Sequence, residues 1–402
     1  MSMSTTHPRN AGIRQPLALT LAVLFLISAS CTGSTNPILP ADAAADGTTQ
    51  TDVTRENTGR VTYLKRVGHE TGDGMTVITA APRIVVELLN ASGDVIGETT
   101  TDDAGNFGYD PDDGVTGVAA LARSRGPRVN VSVYRAFPSN GVDEPVRIVG
   151  GLDLIVSEKY DAGAFNVVAQ TVRLGRALTG IVSDEVPAEL QVRYADGVTL
   201  PNCPTCFFAT SFRMELTGQA GDEDAHDDSV VLHELGHYAE AAFGRYSNPG
   251  GKHDLEYVRP PLAWSEGFAT WLQAAVRGTG DYIDVWPIGG PYTLDLESPP
   301  ASTNGTEVEG DPSSNYSEGL VFGLLWDLTD GDPADPASDD DPLAVGPGPV
   351  FSAAFAIKTG PDRGGDGADL VDFVDRWQCA MQPALAEMLA AVSFPYQSAD
   401  CP

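Results

Sequence analysis

His233, Glu234 and His237 are the residues of this chain whose types and spacing could do chemistry. On a helix, residues i and i+4 stand on one face, one turn apart, so both imidazoles can grip a single ion. The pattern His-Glu-x-x-His suits two nitrogen ligands on zinc, with the glutamate placed to serve a zinc-bound water. The stretch 227–244 must then be the helix. Asp227, Asp228 and Ser229 offer capping groups and negative charge at the positive end of its dipole. Val231, Leu235, Tyr238, Ala239 and Ala242 recur at helical spacing, and Gly244 stands where a glycine would end the element.

Zinc held by two histidines needs a third protein ligand and an open fourth position. Glu266 is the candidate, on an apolar stretch, Leu262 to Leu272, that starts after Pro260-Pro261 and reads as a neighbouring helix. His253 and Asp254, in a glycine-rich loop, compete for that place, and His253 could instead act on the substrate side. A metzincin would carry glycine and histidine further along the first helix, where Glu240 and Phe243 stand, so that subclass is excluded.

Glu266-Gly267-Phe268-Ala269 resembles the Glu-Gly-x-Ala run that carries the third zinc ligand in the gluzincins, the thermolysin and aminopeptidase N group. The resemblance implies a metallopeptidase with one zinc per chain on His233, His237 and Glu266, and Glu234 as general base. Two neighbours depart from the group's pattern: Ser265 where asparagine often precedes the ligand, and Thr270 where an acid can follow it. Thr270 could still hydrogen-bond a ligand histidine. Tyr316, followed by Gly319, resembles the Tyr-x-x-Gly run of the aminopeptidase branch, which implies a phenol that steadies the oxyanion. A tyrosine that merely packs is the other reading.

The elements that position these groups follow from composition and period. Residues 1–30 carry basic residues and then the apolar block 17–27, of signal-peptide length and too short to span a bilayer. Small residues before Cys31 resemble a bacterial lipoprotein signal, implying a lipid on Cys31 and export to the cell surface or outer membrane; without the lipid the protein would be periplasmic or secreted. Residues 31–59 read as a flexible linker. Residues 60–150 hold short strands at 84–89, 95–101, 106–109 and 129–134, separated by Asn/Asp/Gly turns, and predict a β-sandwich. Thr101 to Phe107 resembles the Thr-Asp-x-x-Gly-x-Phe thread of the carboxypeptidase-regulatory-like module. Residues 151–402 then form the metal-bearing domain, with a helix near 165–178, strands at 190–194 and 207–216, irregular loops at 278–313 and a helix at 315–328 capped by Ser313 or Ser314. The fold class is α+β, an N-terminal β-sandwich followed by a zincin-like domain in which a twisted sheet lies over the active-site helix and a mainly helical subdomain follows.

Setting Cys31 aside leaves an even set, Cys203, Cys206, Cys379 and Cys401, read as two structural disulfides of an oxidising compartment. Net charge is -32, from 56 acidic and 24 basic residues, which excludes nucleic acid as a partner and leaves the anchor at Cys31 as the only membrane contact. The acidic runs at 330–335 and 338–341 could hold calcium, though they lack EF-hand spacing. The partner is a protein or peptide substrate; nothing in the sequence sets an oligomeric state. Two alternatives remain: a non-catalytic surface lipoprotein with structural zinc, and a zinc hydrolase of non-peptide amides or esters. If Cys31 carries the anchor, the mature protein partitions with membranes and Cys31→Ser releases it or stalls processing; an intact mass showing an unmodified Cys31 terminus excludes the lipid.

Overall fold

The structure is a computed structural model that describes residues 57–398 apart from 68–74, 138–141, 185–186, 195–196, 201–202, 254, 287–289, 301–314, 332–340, 393 and 395. Cys31 and its leader, Asp254, Cys401, Ser313, Ser314 and most of the acidic runs at 330–341 lie outside the described residues. Ten strands come first: β1 (Asn57–Lys65), β2 (Val77–Ala80), β3 (Ile84–Leu89), β4 (Val95–Thr100), β5 (Asn106–Tyr109), β6 (Gly117–Arg125), β7 (Asn130–Phe137), β8 (Val142–Pro145), β9 (Arg147–Gly150) and β10 (Asp153–Val156). Helix α1 (Lys159–Ala177) leads to β11 (Leu190–Tyr194), β12 (Cys206–Phe208), β13 (Arg213–Leu216) and the short strands β14 (Gly218–Gln219) and β15 (Asp222–Glu223). Then come α2 (Asp228–Phe243), α3 (Pro260–Arg277), the hairpin β16 (Asp281–Trp286) and β17 (Gly290–Asp295), and α4 (Glu318–Asp327), α5 (Pro347–Ala356), α6 (Leu370–Arg376) and α7 (Gln382–Ala391). This is a mixed α+β layout in which a sheet-rich N-terminal region precedes a largely helical part, as in zincins. No helix among the described residues is long and apolar enough to cross a membrane.

The larger sheet runs β12-β13-β11-β7-β6-β3-β4, with β8 on β7 and β9 on β6; the smaller runs β10-β1-β2, with β5 on β1. β11 lies parallel to both β7 and β13, Val192 pairing with Val133 on one side and Met214 on the other. One sheet therefore spans position 150, where a boundary was expected, and Thr54–Pro402 forms one compact unit. The strands that read as a self-contained sandwich share a core with the helices: Val86, Ala120, Val131 and Val192 belong to the same buried cluster as Phe165, Leu235 and Phe268.

Three local outcomes differ from the expectations. The stretch 207–216 breaks into β12 and β13 because Phe212 adopts a left-handed φ of 46° that no strand can continue through. The helix expected from 315 starts at Glu318, with the Ser317 hydroxyl accepting from the Leu320 N–H at 3.2 Å. The segment expected to be loop contains the β16–β17 hairpin, paired from Asp281–Asp295 to Trp286–Gly290.

Helix α2 is fixed at its first turn by neighbours. Asp227 does not cap its own helix; its Oδ2 accepts from the Val285 N–H of β16 at 3.0 Å. The Ser229 hydroxyl accepts from the Ile283 N–H, and Asp228 pairs with Lys65 and accepts from Asn166 of α1. Further along, two glycines let the helices approach: a Cβ on Gly236 would lie 2.7 Å from the Ala269 Cα, and one on Gly267 would lie 2.5 Å from the Val321 Cβ. So Gly236 brings α2 against α3, and Gly267 brings α3 against α4. Gly236→Ala must push α2 and α3 apart and is expected to cost about 1–3 kcal/mol, the usual penalty of overpacking, read as a lowered midpoint of thermal unfolding. An unchanged midpoint would mean that the helix contact is soft.

Candidate metal centre

Both histidines project from α2 toward Glu266 on α3. His233 Nε2 lies 3.3 Å and His237 Nε2 3.2 Å from the same oxygen, Glu266 Oε2. One ligand atom from each of the three falls within 4.8 Å of the others, a spread that a tetrahedral ion can bridge. All three sit on helices whose other faces are apolar: Leu232, Leu235, Trp264 and Phe268 are buried around them.

The far nitrogens of both rings are held by hydroxyls. His237 Nδ1 lies 3.2 Å from Ser265 Oγ, and Ser265 donates onward to Glu240 Oε2 at 2.6 Å. Because Ser265 spends its proton on Glu240, the imidazole must donate Nδ1–H to it, which leaves the Nε2 lone pair for a metal. Thr270 Oγ1 lies 3.1 Å from His233 Nδ1 and braces the other ring, leaving its Nε2 on the Glu266 side. Asn248 donates to Glu266 Oε1 at 2.8 Å and to Ser265 at 3.2 Å, turning Oε2 toward the rings. The donors fit zinc, with two imidazoles and one carboxylate.

The buried charges of the cluster act strongly on one another. Burial alone would raise Glu266, but His237 and His233 outweigh it and hold the carboxyl well below the usual carboxylate range. Burial alone would lower His237, but Glu266, Glu234 and Glu240 raise it to about 9. Glu240 is pushed up by burial to about 7, against the hydrogen bond from Ser265. Glu234 is raised by burial, with His237 and His233 pulling the other way. It is 7 % exposed, and its Oε2 has no hydrogen-bond partner.

His253 stands at the mouth, with Nε2 3.8 Å from Glu266 Oε2 and Nδ1 2.8 Å from Glu318 Oε2. Glu318 also accepts from the Leu255 N–H at 2.9 Å, so the first residue of α4 fixes the loop that carries His253. Tyr316 is not brought to the cluster. Its hydroxyl is buried between backbone groups, accepting from the Leu370 N–H at 3.1 Å with Pro260 O at 3.5 Å, and its own backbone bridges Val258. The rings nearest the histidines are Tyr282, 5.9 Å from His233, and Tyr246, 6.3 Å from His237. Tyr282, Tyr246, Asn248 and Glu318 carry no spacing that ties them to the metal motif, and only folding brings them there; Glu240, one turn after His237 on α2, does carry such a spacing. Cys203 and Cys206 form a disulfide with each other, and Cys379 is disulfide-bonded as well.

Residues 189–344 match the family model described as Mycolysin C-terminal domain. This segment is similar to that domain. The Mycolysin-like segment runs from β11 through α4 and includes His233, His237, Glu266, His253 and Glu318. No curated protein matches the chain.

A metal must displace the proton on His237. With that proton bound below about 9, zinc binding at pH 7 is expected to release about one proton per chain, and zinc affinity to rise as pH climbs toward 9. Calorimetry in buffers of different ionisation heat measures the release. Ser265→Ala, which removes the hydroxyl that orients His237, is expected to weaken zinc by about 10–100-fold. Zinc uptake with no proton release, or full affinity in Ser265→Ala, would contradict the arrangement.

Proposed function

We propose that this chain is a zinc-dependent peptidase acting on protein or peptide substrates. The observation that carries the reading is Glu234: a buried carboxylate with an unpartnered oxygen, one residue from a ligand set that leaves a metal coordination position open. A structural zinc would bring four protein ligands and needs no such base. The match of residues 189–344 to a peptidase-like domain supports the same class.

A zinc ion on His233, His237 and Glu266 would polarise the scissile carbonyl and acidify a water. Glu234 would serve as the general base toward a water there and return the proton to the leaving amine; burial raises its pKa toward the value a base working near neutrality needs. His253, whose Nδ1–H donates to Glu318, would as an imidazolium direct Nε2–H at the carbonyl oxygen as negative charge develops there, a role Tyr316, with its hydroxyl held by backbone groups, does not fit. Among the described residues the outer side of β12 carries no strand, and Phe207 of β12 packs on Tyr246, which in turn packs on His237. An extended peptide pairing with that edge would run past the metal. The apolar block before Cys31 supports an exported, lipid-anchored enzyme.

Glu234→Gln keeps zinc and the fold but is expected to lose ~10²–10⁴ in turnover on a mixed peptide pool. His253→Ala is expected to lower kcat by about 10²–10³ with KM nearly unchanged, whereas Tyr316→Phe leaves turnover alone. Normal turnover in zinc-loaded Glu234→Gln would sink the peptidase mechanism; a loss in Tyr316→Phe matching that of His253→Ala would reverse the two assignments.

A further inference from the structure

Away from the histidines, Asp222, Asp224 and Asp284 bring one oxygen each within 4.8 Å of the others. Asp222 and Asp224 alternate along the same edge of β15 and its continuation, while Glu223 between them turns away to pair with Lys159 and Arg66. Asp284 comes from the middle of β16. Acidic clusters are common on surfaces, but the middle member of this one is buried and Asp222 and Asp284 are only partly exposed. Asp224 is 4 % exposed. Its Oδ2 accepts from the Thr205 hydroxyl, and its Oδ1 is buried with no partner. Asp284 repeats the pattern: Oδ2 accepts from Trp286 Nε1 at 2.8 Å, and Oδ1 is buried with no partner. Two carboxylates that each satisfy one oxygen and bury the other bare carry a desolvation cost.

We infer that Asp222, Asp224 and Asp284 form a second metal site, one for an oxygen-preferring divalent cation of the calcium class. Oxygen ligands alone select a hard ion over zinc. Calcium binds oxygens at about 2.3–2.6 Å, so two ligands of one ion can stand up to about 5 Å apart, which matches the observed spread. Burial holds Asp224 well above the usual carboxylate range, and Asp284, Asp222 and Asp227 add to it against the Thr205 bond; a cation would reverse every one of those carboxylate repulsions. The site is buttressed from both sides. Thr205 sits inside the Cys203–Cys206 disulfide loop and also accepts from the Thr217 N–H at 3.0 Å, while Asp284 lies two residues along β16 from Tyr282, the ring packed on His233. A bound cation therefore ties β16 to β15 beside the zinc helix without touching the zinc ligands.

The test uses full-length protein carrying one zinc per chain, freed of other divalent ions by gel filtration so that no chelator strips the zinc. Calcium chloride is titrated by calorimetry, and Tb³⁺ emission sensitised by the neighbouring Trp286 is followed separately. One calcium per chain is expected, with a calcium-dependent rise in the unfolding midpoint. Asp284→Asn and the more exposed Asp222→Asn should each weaken calcium by on the order of 10–100-fold, at least the loss an outer partner's removal causes, while zinc content stays at one per chain. Asp222→Asn guards against a fold defect in Asp284→Asn. No calcium binding at millimolar concentration, or binding unchanged in both variants, overturns the site and leaves a protonated Asp224–Asp284 pair in its place.

Discussion

Burying carboxylates beside imidazoles between two apolar helices is the constraint on which the centre depends. Glu234, Glu240 and Glu266 are each less than a tenth exposed, and water can offset little of their charge. The chain answers with short hydroxyl and amide links from α3 and the loop after α2: Ser265 to Glu240, Thr270 to His233, Asn248 to Glu266. These links work only if α2 and α3 lie nearly in contact, which is what the absence of a side chain at Gly236 permits. The glycine next to His237 is thus as much part of the ligand geometry as the ligands, because it sets the distance over which Glu266 must reach.

Much of this was legible in sequence for a physical reason. The α2 pattern is local: apolar spacing, acidic start and glycine end all lie within 18 consecutive residues, and α3 follows a Pro-Pro start with its apolar run intact. Thr270 could be named because one helical turn separates it from Glu266. What failed was non-local or masked by composition. Tyr316 has the right neighbours in the chain, yet Val258 and Leu370 claim its backbone and its hydroxyl. The β16–β17 hairpin was hidden by the glycines and prolines between its strands, although Tyr282-Ile283-Asp284-Val285-Trp286 is a fair strand by itself. Likewise the short strands before 150 read as self-contained, because a parallel partner such as β11 leaves no turn in the sequence to announce it.

The hairpin links the two acidic sites. β16 places Tyr282 on His233, receives Asp227 of the α2 start at Val285, and carries Asp284 to the aspartates of β15. Its conformation is therefore felt at the first ligand through packing and at the helix start through a hydrogen bond. The surface end of the same hairpin stacks Trp286 on Tyr292 with ring centroids 5.8 Å apart, so the strand is clamped at both ends.

Parallel pairing also governs when the centre can form. β1 joins β10, and β7 joins β11, across long stretches of intervening chain, so these two pairings close large loops before their own energy is returned, unlike the local β3–β4 and β6–β7 pairs. Folds with such a high mean separation between partners are slow to assemble. Helix α2 leans on products of both closures, through Asn166 of α1 and Lys65 of β1. The first turn of α2 thus reaches its anchors on α1 and β1 only through those long closures, whereas its packing on α3 at Gly236 joins neighbours in the chain.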